Sequence, residues 1–199
     1  MFNTINFNKY TKYLVEHRDS YGVNKNKQPV IIRGKKNICF LTPSSVTYRQ
    51  GTTKLLSSIN IGQIAEYMAI NTNCYAYCNT DEDFQPRDSD AYYDFNMFLR
   101  DNDIDIVVIL YGISSAQYYD VYIDYWNDIP NRYKDGLDRI FNSYSVERGN
   151  HNKVSFGYAL YNSNKDNVNI IQLGLARALR DENSEEGFRI VKALINLFK

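Results

Sequence analysis

The stretch Ile104-Asp105-Ile106-Val107-Val108-Ile109-Leu110-Tyr111-Gly112 constrains this chain more than any other. A continuous run of β-branched and aliphatic residues ending on glycine reads as a strand buried on both faces of a mostly parallel sheet. In open α/β sheets the ligand crevice lies beyond the carboxyl ends of the strands. Tyr111 and Gly112 therefore stand where binding or chemistry is expected.

At 199 residues the chain is long enough for one domain with a real core. Lys plus Arg and Asp plus Glu both number 23, so the net charge is zero. Neither a basic nucleic-acid footprint nor a polybasic membrane patch follows from such a balance, and no partner of either kind is expected. No apolar run is long enough to span a bilayer, and no basic-then-apolar leader opens the chain. Three cysteines, Cys39, Cys74 and Cys78, are an odd count, which argues against a disulfide framework. A soluble cytoplasmic protein is the expectation. Tyrosine is heavily used, at 18 residues, as composition bias or as a recognition surface of low entropic cost.

Along the chain, Tyr10, Tyr13, Leu14 and His17 fall at helical spacing within a polar stretch, 1–28, that reads as an N-terminal appendage. Pro29–Arg33 and Asn37–Leu41 are strand candidates, with Gly34-Lys35-Lys36 a turn between them. Pro43 forces the chain away from the second. Val46–Lys54 reads as a loop. Ser57 or Ser58 is positioned to cap a helix running to about Ile70, with Ile59, Ile61, Ile64, Ala65, Met68 and Ala69 on its buried face. Cys74–Cys78 alternates as a strand. A helix through Tyr92, Phe95 and Leu99 leads to the central strand. Strand, helix, strand, helix, strand predicts a parallel sheet with helical crossovers. Gly112–Gly149 reads as irregular apart from a helix over 133–144. Val154–Leu160 and Asn169–Leu175 read as strands, and Phe188–Phe198 as a closing helix.

Four segments, in order and at matching separations, resemble the N-formylglutamate amidohydrolase family. The first is Pro43-Ser44-Ser45, where the family has a Pro-His-Ser motif. The second is Arg49, Gly51 and Lys54, with Ser57 and Asn60 at the family's Asp and Thr. The third is Ile109-Leu110-Tyr111-Gly112, where the family strand ends Asp-x-His-Gly. The fourth is Gln172-Leu173-Gly174 with Arg177 and Arg180, where the family has Gln-Leu-Glu and two arginines. The resemblance spans about residues 37–198. It implies a phosphorylase/hydrolase-like α/β fold: one domain over 1–199, three αβα layers, and a mixed, mostly parallel central sheet. It also implies an ancestral zinc-dependent hydrolase.

The departures fall on the chemistry. At the family's zinc ligands this chain carries Ser44, Ser57 and Tyr111, neutral hydroxyls where zinc takes imidazole, thiolate or carboxylate. At the family's acid/base carboxylate it carries Gly174, which has no group to move a proton. No zinc or other cofactor is expected on these residues, and no catalytic residue is assigned. His17 and His151 are the only histidines; His17 reads as a surface residue, and His151 lies in a loop that could face the crevice. Cys74 and Cys78 share one face of a strand and read as core cysteines. Asp81, Glu82 and Asp83 read as a solvated loop. The vestigial pocket then consists of Ser44, Ser45, Arg49, Lys54, Ser57, Tyr111, Gly112, Gln172, Gly174, Arg177 and Arg180. Its arginines suit a small carboxylate or an acidic peptide end.

Two functions follow. One is a metal-free, non-catalytic relative of the amidohydrolases that binds a small carboxylate, a protein partner or a second copy of itself. Tyr118, Tyr119, Tyr122 and Tyr125 around Trp126 would supply its contact surface, unless they pack over the sheet. The alternative is an active hydrolase of N-acyl amino acids or related amide bonds.

Overall fold

The computed structural model describes residues 4–17, 28–43, 48–50, 53–55, 60–80, 90–113, 117–149, 156–164 and 167–199. The elements, in chain order, are α1 (Thr4–Glu16), β1 (Val30–Ile32), β2 (Ile38–Thr42), β3 (Tyr48–Gln50), β4 (Thr53–Leu55) and α2 (Ile61–Thr72). They continue as β5 (Tyr75–Cys78), α3 (Asp90–Asp101), β6 (Ile106–Gly112), β7 (Val121–Trp126), α4 (Asn131–Ile140) and β8 (Val146–Arg148). The chain closes with α5 (Phe156–Ser163), β9 (Asn169–Leu175), a single 3-10 turn (Arg177–Leu179) and α6 (Glu185–Phe198).

The central run is strand β6, as its composition requires, and its first five residues are buried. It lies in the middle of a seven-stranded sheet of order β1-β5-β2-β6-β9-β7-β8. β5, β2, β6 and β9 are mutually parallel. β1 joins β5 antiparallel and β7 joins β9 antiparallel, so the sheet is mixed but mostly parallel at its centre. From β2 the chain crosses to β5 on one side, and from β6 it continues to the other side. The carboxyl ends of β2 and β6 therefore flank a topological switch point, the usual place for a ligand crevice.

Side-chain alternation along the strands builds two cores. Val108, Leu110, Ile171, Leu173, Val121 and Ile123 face a layer made of α1, α2, α4 and α6. Val107, Ile109, Ile170 and Trp126 face the opposite layer, made of α3 and α5 through Tyr92, Phe95, Leu99 and Leu160. Each such side chain taken from water contributes about 1.5–3 kcal/mol. The result is the three-layer αβα architecture. Among the described residues no helix is long and apolar enough to cross a membrane. Cys39, Cys74 and Cys78 are buried free thiols, with Cys74 and Cys78 on the α2/α6 side.

Several local readings are corrected. Within Val46–Lys54 the chain forms the hairpin β3–β4, in which Arg49 pairs with Lys54. Two residues, Gly51-Thr52, separate the strands, and a Gly-X pair between strands is a hairpin signal. α2 begins at Ile61, not at a serine cap. Its flanking residue Asn60 takes a left-handed backbone (φ 59°) and makes no cap; Asn60 Nδ2 donates instead to Arg180 O at 2.9 Å and Glu182 Oε2 at 2.8 Å. Ser57 and Ser58 lie outside the described residues. The helix expected over 133–144 is α4, and the rest of Gly112–Gly149, expected to be irregular, carries β7 and β8. Of the strand expected over Val154–Leu160, the first two residues lie outside the described residues and the rest is not a strand. From Phe156 the segment is helix α5, because Gly157 lets a helix press onto Trp126 and Gln172.

α1 packs on α2 and α6, and its Tyr10 and Leu14 are fully buried. His17, half-exposed at its end, stacks on Tyr13 at 4.1 Å and sets Nδ1 3.3 Å from the buried Glu66 carboxylate. Leu14→Ala is expected to cost about 2–5 kcal/mol in urea denaturation. A loss within about 0.5 kcal/mol, the range of ordinary surface substitutions, would show that α1 is peripheral to the core.

Candidate functional site

Register assembles the site. On the face covered by α3 and α5, Tyr111 of β6 pairs with Gly174 of β9, Gly174 pairs with Tyr122 of β7, and Tyr122 pairs with Glu147 of β8. One row earlier on β6 and β9, Ile109 pairs with Gln172, and Gln172 with Asp124. The row beyond is apolar: Val107, Ile170 and Trp126. Cross-strand partners share a face and touch. The polar rows therefore lie at the carboxyl ends of β6 and β9, above an apolar floor.

One close contact in these rows is between a ring and a missing side chain. A Cβ at Gly174 would lie 2.7 Å from Tyr111 Cζ, 2.9 Å from its hydroxyl oxygen and 2.9 Å from Ile113 Cγ1. The phenol of Tyr111 thus fills the space into which a side chain at 174 would grow. Burial pushes this phenol's pKa well above its usual 10, and nearby Tyr122 adds to the effect. Neighbouring Gln172 works in the opposite direction. Gln172 Oε1 is buried without a hydrogen-bond partner and faces α5, where a Cβ on Gly157 would meet it at 2.5 Å.

Tyr122 stands beside this pair, its ring 6.1 Å from that of Tyr111 in an edge-on arrangement. Its hydroxyl donates to Asp124 Oδ2 at 3.4 Å, and Asp124 Oδ1 accepts from the Tyr125 amide at 2.9 Å. Asp124 is only 3% exposed. Burial, then the Asp124 charge, pushes the Tyr122 phenol up to about 12. Tyr119 is half-buried with its ring 6.4 Å from Tyr122, and burial followed by the Glu147 charge raises it as well. Tyr118 is fully exposed. Tyr125 points to the other face and packs against the α4/α6 core. The four tyrosines thus do not form one surface.

The arginines divide. Arg180 is 5% exposed; its Nε donates to Leu175 O at 2.9 Å, and its own carbonyl accepts from Asn60. It straps the end of β9 to the start of α2. Burial, then neighbouring Arg177, lowers its pKa to about 10, so it stays charged at neutral pH. Arg177 is exposed in the 3-10 turn. Gly112 ends β6 in register with Leu175, and Ile113 N donates to Leu175 O at 2.9 Å. Ser44, Ser45, Ser57, His151, Asp81, Glu82 and Asp83 lie outside the described residues, as do the side chains of Arg49 and Lys54. Of the sequence-derived pocket, the structure brings Tyr111, Gly112, Gln172 and Gly174 together.

One functional candidate escaped the sequence, Asp124; Tyr119 and Tyr122 read in the sequence as a contact surface and not as part of this site. A signal was present. Val121-Tyr122-Ile123-Asp124-Tyr125-Trp126 alternates, which places Asp124 in a half-buried strand, and a buried carboxylate there is the informative exception.

No family model and no curated protein matches the chain by sequence. Solved structures do match. The gene product Atu2144 from Agrobacterium tumefaciens superimposes with a TM-score of 0.62 at 11% identity, over 87% of this chain and 92% of that one. The fold is amidohydrolase-like. N-formylglutamate amidohydrolase from Ralstonia eutropha JMP134 matches with a TM-score of 0.53 at 10% identity, over 86% of this chain and 96% of that one. A bacteriophage poly-gamma-glutamate hydrolase matches at 0.52 and 12%, over 85% and 86%.

The zinc implied by the family resemblance does not fit the described residues. A phenol held protonated by burial is a poor ligand, and Gly174 offers no carboxylate where Tyr111 already lies. Among the described residues no three His, Cys, Asp or Glu side chains converge.

Gly174→Ala is expected to destabilise the fold by about 1–3 kcal/mol through overpacking. Combined with Tyr111→Leu, most of that loss should return. Urea denaturation of the two single variants and the double variant measures the coupling, and additivity within about 0.5 kcal/mol would exclude the contact. The tyrosines carry a pH signature of fixed sign. Unfolded tyrosine titrates near 10 while folded Tyr122 titrates near 12. The unfolded chain therefore binds fewer protons between these values, and stability falls as pH rises through that window. In an ultraviolet titration of the native protein, Tyr122→Phe should delete a late tyrosinate step and leave the early ones unchanged.

Proposed function

We propose that this protein is a non-hydrolytic binding protein built on the amidohydrolase-like fold, holding a small ligand at the carboxyl ends of β6, β9 and β7. One observation carries this reading: the Tyr111 phenol occupies the position from which a side chain at 174 would act. The family's route needs a metal-activated water and a carboxylate to move its proton. Here the two corresponding positions in adjacent strands hold a neutral phenol and a glycine, locked against each other. Hydrolysis by that route would need both replaced.

For the ligand, the carboxylate reading now rests on exposed Arg177, with Arg49 and Lys54 as further candidates. Arg180 is committed to the scaffold through Leu175 and Asn60. A protein partner or a second copy of the chain is the other occupant this reading admits, and co-purification at the native mass distinguishes it.

Elemental analysis and an amide-hydrolysis assay on N-acyl amino acids test the proposal together. Less than about one tenth of an equivalent of zinc and no turnover above background support it. Stoichiometric zinc with hydrolysis would overturn it in favour of an active amidohydrolase. The alignment has its own check: Ser44→His, Ser57→Asp, Tyr111→His and Gly174→Glu, made together, should create zinc binding. No gain of zinc in a folded variant counts against the register.

A further inference from the structure

We propose that the rings of Tyr111, Tyr119 and Tyr122, with Asp124 and Glu147 beside them, form a binding site for an organic ammonium ion. The site shares the crevice end of the sheet but does not depend on the loss of hydrolysis.

Tyr122 is the centre of the cluster. Its ring lies 6.1 Å from Tyr111 at 64° and 6.4 Å from Tyr119 at 42°. The rings are inclined to one another rather than stacked. All three residues are half-buried, so each is fixed by packing while keeping part of its surface in reach of solvent. The face of an aromatic ring carries negative potential and attracts cations, and several rings together recognise alkylated ammonium groups.

Charge sets the sign of the ligand. Asp124 accepts from the Tyr122 hydroxyl at 3.4 Å, and Glu147 is Tyr122's register partner on β8. Among the described residues, the carboxylates that act on these three phenols are Asp124 and Glu147. Among the described residues, Arg148 pairs with Asp138, and Arg180 Nε donates to the Leu175 carbonyl. A carboxylate entering here would meet like charge in a partly desolvated place, whereas an ammonium meets opposite charge and aromatic faces. A methylated ammonium fits best, since it gives up few hydrogen bonds to water on entering.

The sequence hides this arrangement because its parts lie on different strands. Tyr111 is the last residue but one of β6, Tyr119 precedes β7, Tyr122 lies within it, and Glu147 is on β8. Only the pairing through Gly174 sets them in one row. A larger residue at 174 would displace Tyr111 and open the cluster.

Calorimetric titration of the full chain tests the proposal, with tetramethylammonium and butylammonium as probes and acetate as the anionic control. Ammonium binding is expected with a Kd on the order of millimolar, and acetate is not expected to compete for it. Tyr122→Leu should weaken ammonium binding about 10-fold. Glu147→Gln, an exposed change that spares the core, should weaken it severalfold and flatten its salt dependence. Tyr93→Ala, on the exposed side of α3, should leave it unchanged. A peptide carrying trimethyl-lysine separates the sources: tighter binding than the free ion assigns the site to a side chain, and equal binding assigns it to a small amine. Acetate binding that Tyr122→Leu and Glu147→Gln weaken in step with ammonium binding would overturn the proposal. So would the absence of ammonium binding at tens of millimolar, or ammonium binding unchanged in both Tyr122→Leu and Glu147→Gln. None of these results bears on zinc content or turnover, so this site and the non-hydrolytic reading fail separately.

Discussion

The registry of β6 against β9 is the constraint on which the rest of this protein depends. Seven consecutive residue pairs, from Ile106 with Asn169 to Gly112 with Leu175, lock two parallel strands between two helical layers. Because side chains alternate, a slip of one residue would send Val107, Ile109 and Ile170 toward the α2/α6 layer and invert both cores. The same registry places Tyr111 opposite Gly174. Fold and site are therefore specified by one set of contacts, and the site cannot shift along the strand without the core shifting too.

Much of this architecture is visible in the bare sequence because burial on both faces leaves a strong imprint. β6 and β9 read as continuous apolar runs and form strands. The alternating order of strands and helices up to β6 gives the parallel half of the sheet. What stayed hidden follows from weaker physics. β7 is antiparallel and carries Tyr122, Asp124 and Tyr125, polar groups that disguise a strand whose inward faces are nonetheless covered. α5 alternates like a strand in its first residues. Its helical state is settled by tertiary packing, because Gly157 permits an approach to Trp126 and Gln172 that a side chain would block. β3 and β4 are three residues each, too short to leave a periodic signal.

Arg180 shows how a matched pattern misleads about role. In sequence it sits at a motif arginine suited to grip a substrate carboxylate. In the structure its Nε serves the backbone at the end of β9, and its carbonyl is tied to Asn60. A buried guanidinium must find acceptors or pull its surroundings out of shape. Here it finds a backbone carbonyl at the point where β9 leaves the sheet. The residue still shapes the crevice, but by fixing its wall, and its charge is directed into the scaffold. Arg177, three residues earlier and exposed, remains able to meet a ligand.

Tyr111 and Gly174 must be understood as one unit. A carboxylate at 174 needs the volume that the phenol now fills, so restoring it with Tyr111 in place forces the ring, Ile113 or the strand to move. Replacing Tyr111 alone removes the ring from a packed contact and leaves a void over a glycine, which is unfavourable for the opposite reason. Each single step away from the present pair is therefore disfavoured, and only the joint replacement relieves both strains. Local packing thus opposes a carboxylate at 174 while Tyr111 is in place, independently of any selection on activity. It also holds Tyr111 against Tyr122 in the inclined arrangement from which an aromatic, acid-flanked binding surface follows.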